Sequence, residues 1–234
     1  MSRGDEVTKS EHEVYWSLQV FGLLQEMAAQ KTNAVLQVLA EVVHLESDRR
    51  YPESGLLFAD KRWRAFYHCH ETTSMHPDEH GHFHIFTDLG KQNWAHVAGL
   101  SIDAEGQPIQ WFMVNRWVTD GVWLKSDDFF KQLAFISASH GNDGLVANWL
   151  AGLLQLYRNT LSDLLEKRDA MIGSQSTQDD ELAATDEREL YTLAAQSINL
   201  LAALEKPLVS HHLKAGQQII ESESVRQGAA CTDN

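Results

Sequence analysis

The segment Glu79-His80-Gly81-His82-Phe83-His84-Ile85-Phe86 places three histidines at alternating positions, and Tyr67-His68-Cys69-His70-Glu71 begins a similar alternation just upstream. Seven of the 12 histidines (His68, His70, His76, His80, His82, His84 and His96) fall in this one region. Alternate residues of a strand share a face. His80, His82, His84 and Phe86 then project to one side, with Phe83, Ile85 and Thr87 on the other; upstream, Phe66, His68 and His70 share a face. Imidazoles two residues apart start about 7 Å from one another. From there both can reach one ion at about 2.0–2.1 Å per nitrogen. Two such strands side by side supply four ligands. The expected set is His68, His70, His82 and His84, with His80 or His76 able to replace one of them. Imidazole suits zinc, iron or copper, so the expected cofactor is a divalent transition metal.

Other residues can complete a site around those ligands. The loop joining the two histidine strands carries Glu71 and Glu79, each a candidate general base or carboxylate ligand. If Asp88 pairs with Trp94 and Asp103 with Pro108 across two hairpins, Phe86 lies opposite His96 and His96 opposite Asn115. His82, His84, His96 and Asn115 then share one sheet face, and a single bulge in either hairpin inverts this. Asn115 is a candidate catalytic contact. His96, Arg64 and Arg116 are candidates for binding a substrate.

Three functions fit this pattern. The first is a metal-dependent enzyme acting on a small molecule, with a mononuclear histidine-ligated site whose open position activates water or binds substrate or dioxygen. The second is a metal-free hydrolase using His82 as a nucleophile on a nucleotide or phosphoryl group. The third is a metal-binding or sensing module without catalysis, dimeric through an N-terminal helical hairpin.

The elements that must position these residues follow from the periodicity. Val14, Leu18, Phe21, Leu24 and Ala28 recur at spacings of three and four, and Val35, Leu39, Val42 and Val43 repeat the pattern, which predicts a helical hairpin within residues 1–50. From Arg62 to Lys125 the signal changes to alternation, with Gly and Asp at the breaks. Strands are expected near 62–70, 81–87, 94–103, 108–118 and 121–125, joined as an antiparallel meander. Helices follow at 127–137 and 144–171, then a polar linker at 172–185. A helix is expected over 186–207, opened by the capping-box spacing of Asp186 and Glu189 and stopped by Pro207, and a disordered tail over 208–234. The fold class is α+β: an antiparallel sheet of about five strands packed with the N-terminal hairpin and C-terminal helices. The histidine-rich sheet and its following helices form one unit over 51–171.

Composition narrows the partners. An apolar fraction of 43% and seven tryptophans provide for a core. A formal charge of −14 repels phosphate backbones, so no nucleic acid partner is expected. No apolar run approaches the ~20 residues of a membrane span, and the polar start "MSRGDEVTKSEHEV" lacks the apolar core of a signal peptide. With two cysteines, a cytoplasmic protein acting on a small molecule is the expectation.

Two resemblances add to this. His80-Gly81-His82-Phe83-His84-Ile85-Phe86 resembles the His-φ-His-φ-His-φ-φ pattern of the histidine triad nucleotide hydrolases and transferases, with Gly81 in a φ place. That likeness implies His82 as the attacking histidine. The Gly-Gln-Ser/Thr stretch that precedes the motif in that family is missing here, and strands continue well beyond the motif. Over roughly residues 56–170, Arg62–His70, Glu79–Phe86 and Val114-Asn115-Arg116-Trp117-Val118-Thr119 resemble a bacterial family of unknown function with an E-H-G-H-F-H-x-F strand followed by V-N-R-W-V-T. That likeness implies a single domain and carries no activity.

Overall fold

The computed structural model describes residues 3–70, 76–136, 144–175 and 187–210. The first helix, α1 (Arg3–Ala29), buries Trp16, Val20, Leu23 and Met27, whose spacings of four, three and four keep them on one stripe. That stripe lies along α5 (Leu145–Leu156), where Gly152 admits Val20: a Cβ at 152 would come within 2.7 Å of the Val20 side chain. The second helix, α2 (Ala34–Val38), is far shorter than the arm expected from Val35, Leu39, Val42 and Val43. It is capped by Asn33, whose Oδ1 accepts from Leu36 N–H at 2.8 Å while Nδ2 donates to Glu105 C=O at 3.1 Å. One side chain thus closes a helix and ties it to a hairpin turn.

The sheet has six antiparallel strands in chain order: β1 (Tyr51–Leu57), β2 (Trp63–His68), β3 (Gly81–Asp88), β4 (Trp94–Ile102), β5 (Pro108–Val114) and β6 (Thr192–Ser197). The α+β class therefore holds, with four of the expected strands in place. Residues 116–119 leave the sheet as a helical turn, α3 (Arg116–Thr119), and the segment expected as a strand at 121–125 makes a single bridge, Val122 to Ala95. Both outermost strands are additions. Most of the helix expected over 186–207 is corrected: residues 192–197 pair with β5, and helix resumes only over 200–210. The pairing wins because the edge of β5 offers backbone groups that need partners.

After a 3₁₀ turn at Ser126–Asp128 come α4 (Phe129–Leu133), α5 and α6 (Arg158–Gln175). The long helix expected over 144–171 is thus two helices meeting at Tyr157. Residues 176–185 of the expected linker, Asp186 at the start of the expected helix, the part of the expected tail beyond 210, and Glu71 lie outside the described residues.

The two sheet faces differ in chemistry. Trp63, Ala65, Tyr67, Phe83, Ile85, Leu100, Trp111 and Met113 form one core with the buried residues of α1, α5 and α6. The other face carries Phe66, His68, His82, His84, Phe86, His96 and Phe112. The pairings Asp88–Trp94 and Phe86–His96 hold as expected. Asp103 does not pair with Pro108; a bulge brings Ile102 there instead, and the β4–β5 ladder ends at Gly99–Phe112. Asn115 is therefore not brought opposite His96 by strand pairing. A second bulge, between the Ile85–Ala98 and Phe86–His96 pairs, leaves Val97 as an extra residue. His96 and Gly99, an odd number apart, consequently share the histidine face.

Candidate metal centre

His68 on β2 lies directly opposite His82 on β3, and Phe66 opposite His84. Three ligand nitrogens, one each from His68, His82 and His84, lie within 4.8 Å of one another. His68 Nε2 and His82 Nε2 face each other at 2.6 Å. His82 and His84 are 1% and 2% exposed, so the strand pairing delivers their rings into a closed layer.

The second nitrogen of each buried ring is also engaged. His82 Nδ1 meets Glu79 Oε1 at 2.6 Å, and His84 Nδ1 meets His96 Nε2 at 2.8 Å. A carboxylate on Nδ1 fixes the ring so that Nε2 carries the lone pair, the arrangement that orients metal-ligating histidines. Glu79 is itself buried, with a side chain 7% exposed. Burial pulls its carboxyl upward, but the hydrogen bond and charge of His82, together with His70, hold it below the ordinary range.

Burial and nearby charge disfavour the protonated form of three rings, His68, His84 and His96. Burial, then the charges of His82, His70 and Arg50, lowers the His68 imidazole to about 3. Burial, then Arg168 and His82, lowers His96 to about 3. His84 is driven well below its usual range, first by burial and then by His82, His96 and His68. A neutral imidazole is the form that ligates a metal.

Aromatic rings line the remaining space. Phe112 stands edge-on to His82 and His84 at 5.1 and 5.9 Å, and Phe66 packs against His68 and His84 at 5.8 and 5.6 Å. The Arg50 guanidinium covers Phe66 at 4.5 Å. A cavity of about 650 Å³ lies elsewhere, between α2, β1 and the start of α5, and no histidine of the cluster lines it.

The other expected site residues are dispersed. His70 stays close, with ring centroids 4.7 Å from His68 and 5.2 Å from His82, but its nitrogen belongs to a second group with Asp48 and His68. Its Nδ1 pairs with Asp48, and its Nε2 is buried without a hydrogen-bond partner among the described residues. His80 turns to Tyr67, whose hydroxyl is 2.6 Å from His80 Nδ1, and His76 lies 3.9 Å from Asp78. Asn115 is a cap: its Oδ1 accepts from Arg116 N–H at 2.8 Å, and its Nδ2 donates to Glu187 C=O at 3.4 Å. Arg116 opens α3. Arg64 shares the histidine face but stacks on Trp94 at 4.1 Å, beside Phe86.

Asp48 and Arg50 reach the cluster from the loop before β1, and Arg168 on α6 acts on His96 through its charge. None has a spacing to the histidines that a sequence pattern could reveal.

No curated protein and no solved structure matches the chain. One family does match, over residues 16–198, a span that holds every residue of the cluster: the chain belongs to the family described as a domain of unknown function, DUF6969.

Proposed function

We propose that this protein is a metal-dependent enzyme acting on a small molecule, with a mononuclear site formed by His68, His82 and His84. The observation that carries this reading is the convergence of three imidazole ring nitrogens within 4.8 Å, the two most buried rings each being held from behind by Glu79 or His96. The donor set fits a divalent zinc, iron or copper ion. Three protein ligands leave a coordination position for water or substrate, whereas structural sites close with four. An all-imidazole set adds no negative charge, so a bound ion keeps its full charge for acidifying water, which favours hydrolysis or hydration.

The chain's own groups divide the remaining work. Glu79 accepts the Nδ1 proton of His82 and keeps its Nε2 free of one. His96 does the same for His84. Phe66 and Phe112 exclude water from the sides of the rings, which strengthens every charge interaction between them.

A histidine nucleophile is less well supported. Such a residue needs a ring nitrogen open to phosphate, and the two nitrogens of His82 are engaged by Glu79 and His68 in a side chain 1% exposed. Elemental analysis of protein purified without a histidine tag tests the main reading. One ion per chain, lost in His82→Ala and His84→Ala, is expected. Less than about 0.1 ion per chain after reconstitution overturns it.

A further inference from the structure

Two donor groups meet at one residue. His68 belongs to the buried group with His82 and His84 and also to the group with Asp48 and His70, whose ligand atoms likewise lie within 4.8 Å of one another. The groups differ in depth. His82 and His84 are 1% and 2% exposed, whereas the side chains of His70 and Asp48 are 22% and 71% exposed. They differ in donor chemistry too: the inner group is all imidazole, and the outer one includes a carboxylate.

We infer that Asp48 and His70 form an outer loading position, where a divalent cation from solution is first held and from which it passes to the buried histidines through His68. The inference rests on reading the buried group as a metal site. A hydrated cation cannot shed all its water at once without a large desolvation cost. An exposed carboxylate beside an imidazole takes a partly hydrated ion, because hard oxygen and borderline nitrogen donors together tolerate remaining waters. The negative charge of Asp48 also raises the local cation concentration.

The geometry is built for this transfer. Asp48 N–H donates to Cys69 C=O at 2.9 Å, which pins the loop carrying Asp48 to the strand end between His68 and His70. Asp48 holds His70 by Nδ1 and leaves Nε2, which is buried without a hydrogen-bond partner among the described residues. The rings of His70, His68 and His82 then follow one another at 4.7 and 4.4 Å, a continuous path inward. Because His68 serves both groups, the two positions are occupied in turn, and the chain holds one ion at equilibrium.

The test is the kinetics of metal loading in the full-length chain. Apoprotein of the wild type, Asp48→Asn and His70→Gln is mixed with zinc, and uptake and release are followed with a chromophoric chelator. Asn tolerates the left-handed backbone of position 48, where φ is 62°, so Asp48→Asn keeps the loop. Association and release are expected to slow together by about tenfold in both variants, with stoichiometry and Kd unchanged. Unchanged rates would overturn the inference. So would a weaker Kd at unchanged association rate, which makes the pair an equilibrium ligand, or two ions per wild-type chain, which makes it a permanent second site. A wild type that binds no zinc at all defeats the underlying metal reading itself.

Discussion

Phe112 fills the space that a side chain on Gly99 would need. The two residues face each other across the β4–β5 ladder, and a Cβ at position 99 would overlap the phenyl ring. That ring is the one standing edge-on to His82 and His84. Gly99→Ala is therefore expected to destabilise the protein by about 1–3 kcal/mol through overpacking, and to weaken metal binding as the ring is pushed toward the imidazoles. Gly22→Ala on α1, where nothing lies within 4 Å of the added methyl, is the control and should stabilise by about 0.5–1 kcal/mol. Urea unfolding of both variants, with a zinc titration of each, checks the pair.

Under the proposed metal reading, Glu79 acts on the ion through His82, whose Nδ1 it meets at 2.6 Å. Glu79→Gln keeps the shape but replaces the anionic acceptor on Nδ1 with a neutral amide. Zinc affinity should fall by about 10–100-fold, and the metal-free fold should lose the stability that the lowered Glu79 carboxyl contributes at neutral pH. Competition titration against a chelator reads this, and an unchanged Kd would show that Glu79 does not set the state of His82.

The neutral histidines make stability depend on pH. Folded His68 and His96 titrate at about 3, against 6.5 for an unfolded histidine, so below 6.5 the unfolded chain binds the extra protons. Stability contributed by these groups is intact above 6.5 and is lost as pH falls toward 3. His84 acts in the same direction. Each group contributes a slope of up to about 1.4 kcal/mol per pH unit in that window. Urea denaturation of metal-free protein at pH 7.5, 6 and 5 should show the decline, and His96→Gln should flatten it. A level profile contradicts the buried neutral state.

Strand parity separates packing from ligation at adjacent positions. Phe83 is fully buried, 5.1 Å from Tyr67 and 6.4 Å from Trp149, on the helix-facing side. Phe83→Ala should cost about 3–5 kcal/mol with or without metal. His82→Ala should remove the stability that rises with zinc concentration. Thermal melts at several zinc concentrations distinguish the two. If Phe83→Ala melts like the wild type, that assignment is wrong.

Much of this was legible because it is local. The alternation in His82–Phe86 defines both the strand and the face that His82 and His84 take, and β2 is the next hydrogen-bonded neighbour; His80, just outside the strand, turns to Tyr67 instead. The bulge at Val97 left that reading intact, because the Phe86–His96 pair lies on the hairpin side of it. Other features were hidden. Strand β1, Tyr-Pro-Glu-Ser-Gly-Leu-Leu, contains the residues that usually break strands. Strand β6, Thr-Leu-Ala-Ala-Gln-Ser, has no strong period, and its partner lies far back in the chain. Its pairing is a tertiary effect that overrides the helix propensity of Leu and Ala. Asp48 was invisible for a related reason: a loop aspartate reaches His70 only once the sheet has formed.

Every group of the inner cluster, from His68 through Glu79, His82 and His84 to His96, belongs to the stretch that ends in β4. During synthesis that stretch leaves the ribosome before α5 and α6, which help cover the sheet's opposite face, have been made. Closing loops this short costs little chain entropy, so a nascent chain can present its imidazoles together ahead of most of its core. Under the metal reading proposed above, ion binding and folding then overlap in time, and the ion takes part in the first half of the chain's assembly.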